Sequence, residues 1–559
     1  MKPRTPPVKS WSVYIARCAN GALYTGITNR LKGRIADHNS GKGAKYTAAF
    51  GPVDLVWHKK SKTRSTASKL EARIKKMSRM EKEELTHSTS ARKEHMKIIL
   101  TVAVLLAAGV PVLAAPGSDV RVPVRFSEAV LVRAYPEGES GADSEETPAT
   151  VQEVLRPEGG FVTVRVGKDP VWIAEGVSGP ARPAEASPFG FHPASVQTPE
   201  GEDYSYAREI GAKWDRGGFY LMWALGQPDI SLRNYFWDEL DLYFQQLPSG
   251  ILPLKNICPV QDGMVRSDGP RRPGRPGFDP RTYIKAGGYV PSDEKAYAAW
   301  VRAVVERYDG DGKDDMPGLR HKVRYWQVDN EPRAARRGYG RLVRITGRAI
   351  KAADPSAKVL LAGFWKLPFG ESVEEYRRTI LPVLKELGGR DMDIFDVHWY
   401  GHPGEWRMLP EVFKMIRSDL SAAGFKDVPV WMTEVGVYSG CPRGLPCHSE
   451  REQAAELVKR YVTAFGQGVT KVFWAWSIMN SAQIGPGYFN QTGLIYSGEE
   501  DDSPGAGVCK LGFWAYRNMA SLLRGWDGQP PQRLDLINGV YAYRFSCGDR
   551  GAVTAVWAD

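Results

Sequence analysis

Two glutamates in short, chemically informative contexts stand out in this sequence of 559 residues. Glu331 lies in an Asn-Glu-Pro triplet, and Glu434 lies 103 positions further on in a Thr-Glu-Val-Gly run. A pair of carboxyl groups flanked by aromatic side chains is what hydrolysis of a glycosidic bond uses, because one protonates the leaving oxygen while the other attacks the anomeric carbon. When the two groups lie about 5–5.5 Å apart, the anomeric configuration is retained through a covalent intermediate.

The elements that must position this pair alternate between strand and helix patterns. Eight apolar strand candidates, separated by mostly amphipathic stretches over roughly 300 residues, predict a (β/α)₈ barrel, whose active site lies at the carboxyl ends of its strands. An open doubly wound sheet is the alternative, but no Gly-rich phosphate loop follows an early strand. The candidate strands are Phe189–His192, Lys213–Asp215 or Phe219–Trp223, Gly250–Leu254, Val323–Val328, Val359–Ala362, Ile394–His398, Val430–Thr433 and Val472–Trp476.

The runs Tyr-Trp-Gln-Val-Asp-Asn-Glu-Pro and Val-Trp-Met-Thr-Glu-Val-Gly resemble the fourth and seventh strands of clan A glycoside hydrolases, the cellulase- and xylosidase-like barrels, over about residues 185–525. The resemblance implies that Glu331 is the general acid/base and Glu434 the nucleophile, with an oligo- or polysaccharide as substrate and no cofactor. It also implies supporting roles for six residues: Asn330 at the sugar 2-hydroxyl, His398 and Tyr400 beside Glu434, Arg216 in support of the nucleophile, and Trp474 or Trp476 stacked on a sugar ring. A non-catalytic sugar-binding barrel is the alternative.

The charge of the chain is concentrated at its beginning. Residues 1–95 hold 21 basic and 7 acidic residues, a balance of +14, whereas the remaining residues hold 54 and 57, a balance of −3. Such a basic module predicts a nucleic-acid or other anionic partner. The overall composition, 42% hydrophobic and 25% charged, excludes a mostly disordered or polytopic membrane chain.

The basic module has its own strand and helix patterns. Two β-rich runs, Ser10–Ile15 and Ala22–Ile27, flank an Asn-Gly pair, which predicts a hairpin. A helix over residues 30–39, a strand over 53–58, a basic loop over 59–64 and a second helix over 65–77 follow. The loop, with nearby Lys42 and Lys45, could follow a phosphate backbone.

The basic module contains a Ser-Val-Tyr motif that ends at Tyr14, a Tyr-Thr-Gly motif that begins at Tyr24, and the later Arg34, His38 and Glu71. With these motifs the module resembles the GIY-YIG nuclease superfamily, in particular its small single-domain bacterial members. The resemblance implies that Tyr14, Tyr24, Arg34 and His38 are catalytic. It implies that Glu71 holds a divalent cation, Mg²⁺, if the module cuts. The first motif departs from Gly-Ile-Tyr, so a module that binds nucleic acid without cutting it is the alternative. A metal-dependent endonuclease acting on DNA is likewise the alternative main activity of the whole chain.

An export signal is predicted between the two modules. Met96-Lys97 opens an apolar run, which closes with small residues near Ala115; this order is typical of a secretory signal peptide. The run is short for a membrane-spanning helix, which needs about 20 residues. Two explanations stay open: the exported protein begins at Met96, or residues 96–115 anchor a real fusion in the membrane. Residues beyond 115 are then secreted or periplasmic, and residues 1–95 of a real fusion stay cytoplasmic.

The predicted organisation is therefore multidomain α/β, with a small α+β module and a barrel with flanking β subdomains. Cys441 and Cys447 bracket a Pro/Gly-rich loop after Glu434, and export permits a disulfide there. The predicted segments are a tail (1–10), the nuclease-like module (11–88), the signal-like segment (96–115), a β-rich subdomain with its linker (119–180), the barrel (185–525) and a terminal β segment that could be truncated (526–559).

Overall fold

The computed structural model divides the chain into two compact units, residues 1–112 and 113–559. The signal-like segment, the tail, Lys42, Lys45, Lys62 and the Asn20-Gly21 pair lie outside the described residues. The structure describes residues 11–18, 22–40, 47, 52–61, 63–75, 82, 119–125, 129–133, 159–177, 182–232, 234–260, 282–285, 288–333, 337–364, 371–481, 487–500 and 503–558.

The first unit is a three-stranded antiparallel sheet with two helices. The strands are β1 (Trp11–Cys18), β2 (Leu23–Thr28) and β3 (Val53–Ser61), and the helices are α1 (Leu31–Asn39) and α2 (Arg64–Lys75). The sheet order is β2-β1-β3, with Tyr14 opposite Gly26 on one side and His58 on the other. Val13, Ile15, Trp57, Ala67 and Ile74 form a buried apolar cluster.

The prediction of a basic loop over residues 59–64 is wrong for residues 59–61, which belong to a strand. Strand β3 continues through Ser61, and Lys59 and Lys60 are paired opposite Val13 and Ser12 of β1. The pairing with β1 holds these residues in the sheet although the apolar alternation has ended at Trp57. Both lysines are exposed, and their charge lies along an edge strand, where it discourages pairing with another chain.

The second unit contains the barrel and its flanking strands. Its strands are β4 (Asp119–Pro123), β5 (Ala129–Arg133), β6 (Phe161–Arg165), β7 (Val171–Glu175), β8 (Phe189–His192), β9 (Val196–Thr198), β10 (Gly201–Asp203), β11 (Trp214–Asp215), β12 (Leu221–Met222), β13 (Leu252–Cys258), β14 (Tyr325–Val328), β15 (Lys358–Leu361), β16 (Phe395–Trp399), β17 (Val430–Val435), β18 (Val469–Ala475), β19 (Gln532–Arg533), β20 (Val540–Ser546) and β21 (Ala552–Ala558). Its helices are α3 (Ser205–Ile210), α4 (Trp223–Gly226), α5 (Asp238–Gln246), α6 (Glu294–Tyr308), α7 (Tyr339–Ala353), α8 (Glu371–Leu387), α9 (Leu409–Ala422), α10 (Glu450–Gly466) and α11 (Leu511–Leu522).

Eight parallel strands form the barrel, in the order β15-β14-β13-β11-β8-β18-β17-β16. Parallel bridges between Leu360 and Ile394 and between Phe364 and Val397 join the two ends of this order, so the sheet closes. Closure confirms the barrel and excludes the open doubly wound sheet. Of the two candidates for the second strand, β11 pairs with both neighbours, whereas β12 pairs only with β13.

Side chains cap the first turns of two long helices. Asp293 caps α6 by accepting hydrogen bonds from the amides of Lys295 and Ala296. Ser449 and Glu452 form a reciprocal capping box at the start of α10, which satisfies two backbone N–H groups that the helix leaves unbonded. Among the described residues, no helix is long and apolar enough to cross a membrane.

Strands of the predicted β segments at 119–180 and 526–559 share one sheet. Strand β21 pairs with β7, and together they form a five-stranded sheet in the order β19-β20-β21-β7-β5. Valines of the β4–β6 pair pack with Ile173, Ala542 and Val556 of this sheet. A buried ion pair between Arg544 and Glu175, 2.8 Å apart, joins the two distant segments. The predicted Cys441–Cys447 disulfide is present.

Candidate functional site

The two glutamates meet at the carboxyl ends of β14 and β17. Glu434 lies inside β17, and Glu331 lies three residues beyond β14, where Asp329 and Glu331 have left-handed φ angles of 65° and 43°. Such backbone angles cost energy in non-glycine residues and cluster at functional sites. A carboxylate oxygen of each glutamate and a ring nitrogen of His398 all lie within 4.8 Å of one another. The geometry therefore brings the predicted pair together.

The environments of the two carboxylates differ. The side chain of Glu434 is 5% exposed, whereas that of Glu331 is 29% exposed. Glu434 accepts hydrogen bonds from Arg216 Nη1 at 2.7 Å and from the Tyr400 hydroxyl at 2.6 Å. Burial raises the pKa of Glu434, but the positive charges of His398 and Arg216 outweigh burial and lower the pKa to about 2. Glu434 is therefore ionised at neutral pH, as a nucleophile must be.

Arg216, at the carboxyl end of β11, is fully buried and connects the strand ends that position Glu331 and Glu434. Its guanidinium donates to Glu434, to Gln327 Oε1 at 2.6 Å and to Asn330 Oδ1 at 2.6 Å. Three acceptors around one planar fork fix its orientation, which a lysine could not reproduce. The predicted Asn330 and Arg216 thus lie together with Glu434 in one hydrogen-bonded network.

His398 lies nearer to Glu331 than to Glu434, although the sequence analysis assigned it to Glu434. Its Nδ1 is 2.9 Å from Glu331 Oε1 and 3.5 Å from Glu434 Oε2. On the other side, Nε2 is 3.3 Å from the hydroxyl oxygen of Thr433, whose hydrogen is donated to Asp396. Nε2 must therefore carry a proton that it donates to Thr433. The second ring proton, if present, lies between His398 and Glu331.

The surrounding charge favours the protonated form of His398. Burial lowers the pKa of this imidazole, but Glu434 and the hydrogen-bonded Asp396 and Glu331 outweigh burial and raise it to about 10. The ring occupies space next to Gly363, where a Cβ atom would come within 1.8 Å of His398 Nε2. The absence of a side chain at Gly363, two residues beyond β15, therefore makes room for the His398 ring.

The stacking role assigned to Trp474 is wrong. Trp474 is fully buried, and its indole N–H donates to the carbonyl of Thr492 at 2.9 Å, so no face is open to a sugar. Trp476 is only partly buried, and its ring centroid lies 4.3 Å from that of His192 at the site. Of the two tryptophans, only Trp476 is placed where it could contact a substrate.

The sequence analysis missed His192. This fully buried residue ends β8, the first barrel strand, and donates its Nδ1 hydrogen to the Arg216 carbonyl. Its Nε2 has no hydrogen-bond partner among the described residues and lies 3.4 Å from Glu434 Oε1. Burial lowers the pKa of His192 to about 3, so the ring is neutral. His192 could have been predicted from its position at the carboxyl end of a barrel strand, where active-site residues lie.

In the first unit, the five predicted residues also come together. The Tyr14 hydroxyl is 2.7 Å from His38 Nε2, and His38 Nδ1 is 2.5 Å from the hydroxyl of Thr47. The rings of Tyr24 and His38 lie 5.1 Å apart. A hydrogen bond from Arg34 to Tyr14 raises the pKa of the guanidinium, while burial raises the pKa of Tyr14.

Glu71 borders this cluster and is near enough to contribute to the raised pKa of Tyr14. It forms an ion pair with Lys75 on the next turn of α2, at 3.0 Å, and is partly exposed. One accessible carboxylate fits Mg²⁺, which binds proteins through one or two carboxylates and keeps several waters.

Comparison with known proteins assigns the first unit. Residues 10–84 match the model of the GIY-YIG catalytic domain. Over 75 residues the chain is 48% identical to UPF0213 proteins of Yersinia pestis (strain Pestoides F) and of Yersinia pseudotuberculosis serotype O:1b, spanning 13% of this chain and 79% of each relative. Through this domain, the chain belongs to the UPF0213 family.

Solved structures similar to the chain are glycoside hydrolases. A family 39 glycoside hydrolase from Bacteroides cellulosilyticus WH2 has a TM-score of 0.46 and 17% identity, over 78% of this chain and 86% of that one. A glucosidase from Croceicoccus marinus has a TM-score of 0.42 and 16% identity, over 65% and 74%. A family 51 α-L-arabinofuranosidase from Bifidobacterium longum has a TM-score of 0.37 and 12% identity, over 66% and 83%.

Proposed function

We propose that the barrel is a retaining glycoside hydrolase with Glu434 as nucleophile and Glu331 as general acid/base. The observation that carries this proposal is the approach of the two carboxylates to within 4.8 Å, one buried and ionised, the other more exposed and beside an imidazole. Carboxyl groups lie about 5–5.5 Å apart in retaining enzymes and about 6.5–9.5 Å apart in inverting ones, so this approach favours the retaining mechanism.

In the first step, Glu434 attacks the anomeric carbon while Glu331 gives its proton to the departing oxygen, so a glycosyl ester forms as the glycosidic bond breaks. In the second step, Glu331 takes a proton from water, whose oxygen attacks the same carbon and releases Glu434. The proton lost from Glu331 in the first step is regained in the second. Arg216 and Tyr400 hold the carboxylate of Glu434 in place through both steps.

Hydrolysis of a panel of 4-nitrophenyl glycosides by the full chain tests this function. Variants E331A and E434A should lose activity by about 10³-fold or more, because each removes a reacting group. Glu411, an exposed residue of α9, provides the matched control E411Q, which should retain wild-type rates. If E434A hydrolyses the same glycosides at the wild-type rate, the proposed mechanism is wrong.

We further propose that the first unit binds nucleic acid and cleaves its phosphodiester bonds. The hydrogen-bonded arrangement of Tyr14, His38 and Arg34 favours cleavage over binding alone. Arg34 would neutralise charge on the phosphate, and Tyr14 or His38 would orient or deprotonate the nucleophile. Glu71 would hold Mg²⁺, which supplies further neutralisation of the phosphate.

Nicking of supercoiled plasmid in Mg²⁺-containing buffer tests this activity. Variant R34M should abolish nicking, whereas K69M, which removes one charge from an exposed position of α2, should leave most of it. Equal nicking by the wild type and R34M would contradict the assignment, and binding without nicking by the wild type would favour the non-catalytic alternative.

A further inference from the structure

A buried lysine outside the reacting groups joins three loops of the barrel's carboxyl end. Lys510, the residue before α11, is 1% exposed. Its ammonium donates to Ser439 Oγ at 3.0 Å, Asn480 Oδ1 at 3.0 Å and the Gln491 carbonyl at 3.2 Å. Ser439 follows β17 and Asn480 follows β18, whereas Gln491 ends a 3₁₀ turn over residues 488–491. We call Lys510 and these three acceptors the Lys510 cluster.

The loops of the Lys510 cluster reach the reacting groups directly. In the 488–491 turn, the ring of Phe489 lies 4.8 Å from that of Tyr400, which donates to Glu434. The next residue, Thr492, accepts a hydrogen bond from the backbone N–H of Trp476 at 2.8 Å. The position of the turn therefore sets the position of both Tyr400 and Trp476.

We propose that Lys510 is a positioning residue whose ammonium holds these three loops together and thereby fixes Tyr400 and Trp476 at the site. The proposal rests on the proposed glycosidase function. An ammonium has three hydrogens, and each of them has one acceptor in the cluster. A neutral amine has only two, and its lone pair can accept only from the Ser439 hydroxyl, so weaker neutral bonds replace the three charge-assisted ones. The hold on the loops therefore depends on the charge of Lys510.

The environment of Lys510 places the loss of its charge near neutral pH. Burial lowers its pKa to about 7, and the carboxylates of Glu450 and Glu500 offset only part of that effect. Glu450 accepts from the Tyr496 hydroxyl and the Leu511 amide, and Glu500 accepts from Asn480 Nδ2 at 2.6 Å. The ring of Tyr496 lies 5.0 Å from the ammonium.

Deprotonation of Lys510 has opposite effects on the loops and on global stability. The folded-state pKa lies below the ordinary value of 10.5, so the unfolded chain binds the proton more tightly. The contribution of Lys510 to global stability therefore rises as pH increases from about 7 to 10.5. Over the same change, the bonds from Lys510 to the three loops lose their charge assistance and weaken. Loosening of the loops at alkaline pH is thus predicted without a matching loss of stability through this group.

Hydrogen–deuterium exchange of the full chain at about pH 6 and about pH 8.5 tests the proposal without needing a substrate. In the wild type, protection factors of residues 436–440, 477–481 and 488–492 should fall by about tenfold at the higher pH, relative to those of α6. Because the wild type is compared with itself, this measurement does not depend on the folding of a variant. Protection of these segments that is unchanged between the two pH values would overturn the charge dependence.

Variant K510M should lower protection of the three segments at both pH values and reduce kcat/KM for the best 4-nitrophenyl glycoside by about tenfold. Lys471 is a matched control, since it is buried, has a pKa lowered by burial to about 7 and donates to the carbonyls of Glu185 and Ser187, away from the site. K471M should leave loop protection and kcat/KM within about twofold of the wild type.

If K510M behaves like K471M in both measurements, the positioning role is refuted. If the wild type hydrolyses no glycoside of the panel, the proposed glycosidase function fails, and the exchange measurement still decides whether Lys510 holds the loops.

Discussion

At the scale of single residues, two chemically identical carboxyl groups differ in the site because their neighbours differ. The charges of His398 and Arg216 keep Glu434 ionised, and Arg216 and Tyr400 bind it, whereas Glu331 is more exposed and lies beside His398. The sequence predicted both glutamates because each follows a recognisable strand. It could not predict that His398 contacts Glu331 rather than Glu434, because a difference of 0.6 Å between two contacts depends on the packed ring position.

The shifted pKa values of His398 and Glu434 predict a pH dependence of barrel stability. The pKa of His398 is raised from 6.5 to about 10, so its contribution is complete below pH 6.5 and is lost as pH rises through about 10. The pKa of Glu434 is lowered from 4.5 to about 2, so its contribution is present above pH 4.5 and is lost as pH falls through about 2.

Urea unfolding followed by tryptophan fluorescence measures this dependence. Variant H398Q should be less stable than the wild type near neutrality, and the difference should shrink as pH rises toward about 10. His321, a partly buried residue at the other end of the barrel whose Nε2 is 3.0 Å from the Pro248 carbonyl, provides the control H321Q. If the free energies of unfolding of the wild type and H398Q differ by the same amount at every pH, the charge assigned to His398 is wrong.

At the scale of elements, the alternation of strands and helices predicted the barrel because each strand candidate is a short apolar run. Residues on both faces of such a strand are buried, so the run itself does not reveal which face a side chain is on. Trp474 and Trp476 could not be distinguished from sequence because the strand ends between them, at Ala475, and the pattern does not fix that end. The shared sheet of residues 119–180 and 526–559 was also missed, because its pairing joins segments almost 400 residues apart.

The segment just after strand β15 must leave space for the His398 ring, and a substitution at Gly363 tests this packing. Variant G363A introduces a methyl group within 1.8 Å of His398 Nε2, so the imidazole must move from Glu331 and activity should fall by about tenfold or more. Gly218, whose added Cβ would meet no atom within 4 Å, provides the control G218A, which should behave like the wild type. Steady-state kinetics with the best glycoside compares the two variants, and equal kcat/KM values would show that His398 does not need its observed position.

At the scale of the whole molecule, two unrelated units share one chain, with balances of +14 for residues 1–95 and −3 for the remainder. The sequence predicted this division from charge and motifs, and the family match and the two compact units confirm it. The segment between them, residues 96–115, lies outside the described residues, so the predicted export remains a proposal.

N-terminal sequencing of protein from fractionated native cells tests that proposal. We expect a secreted or periplasmic chain that begins near Ala115 or Pro116, because the small residues there are typical of the cleavage site of a signal peptide. An intact chain of 62.0 kDa in the membrane fraction would instead support an uncleaved anchor with residues 1–95 in the cytoplasm. An intact chain in the cytosol would contradict both forms of export.

In the proposed mechanism, Glu434 forms a covalent bond to the sugar. Incubation of the full chain with the 2-deoxy-2-fluoro analogue of its best glycosyl substrate, followed by peptide mass mapping, tests this claim directly, since the fluorine slows release of the intermediate. We predict one added fluoroglycosyl group on the peptide that contains Glu434. An active enzyme that carries the group on another residue would contradict the account.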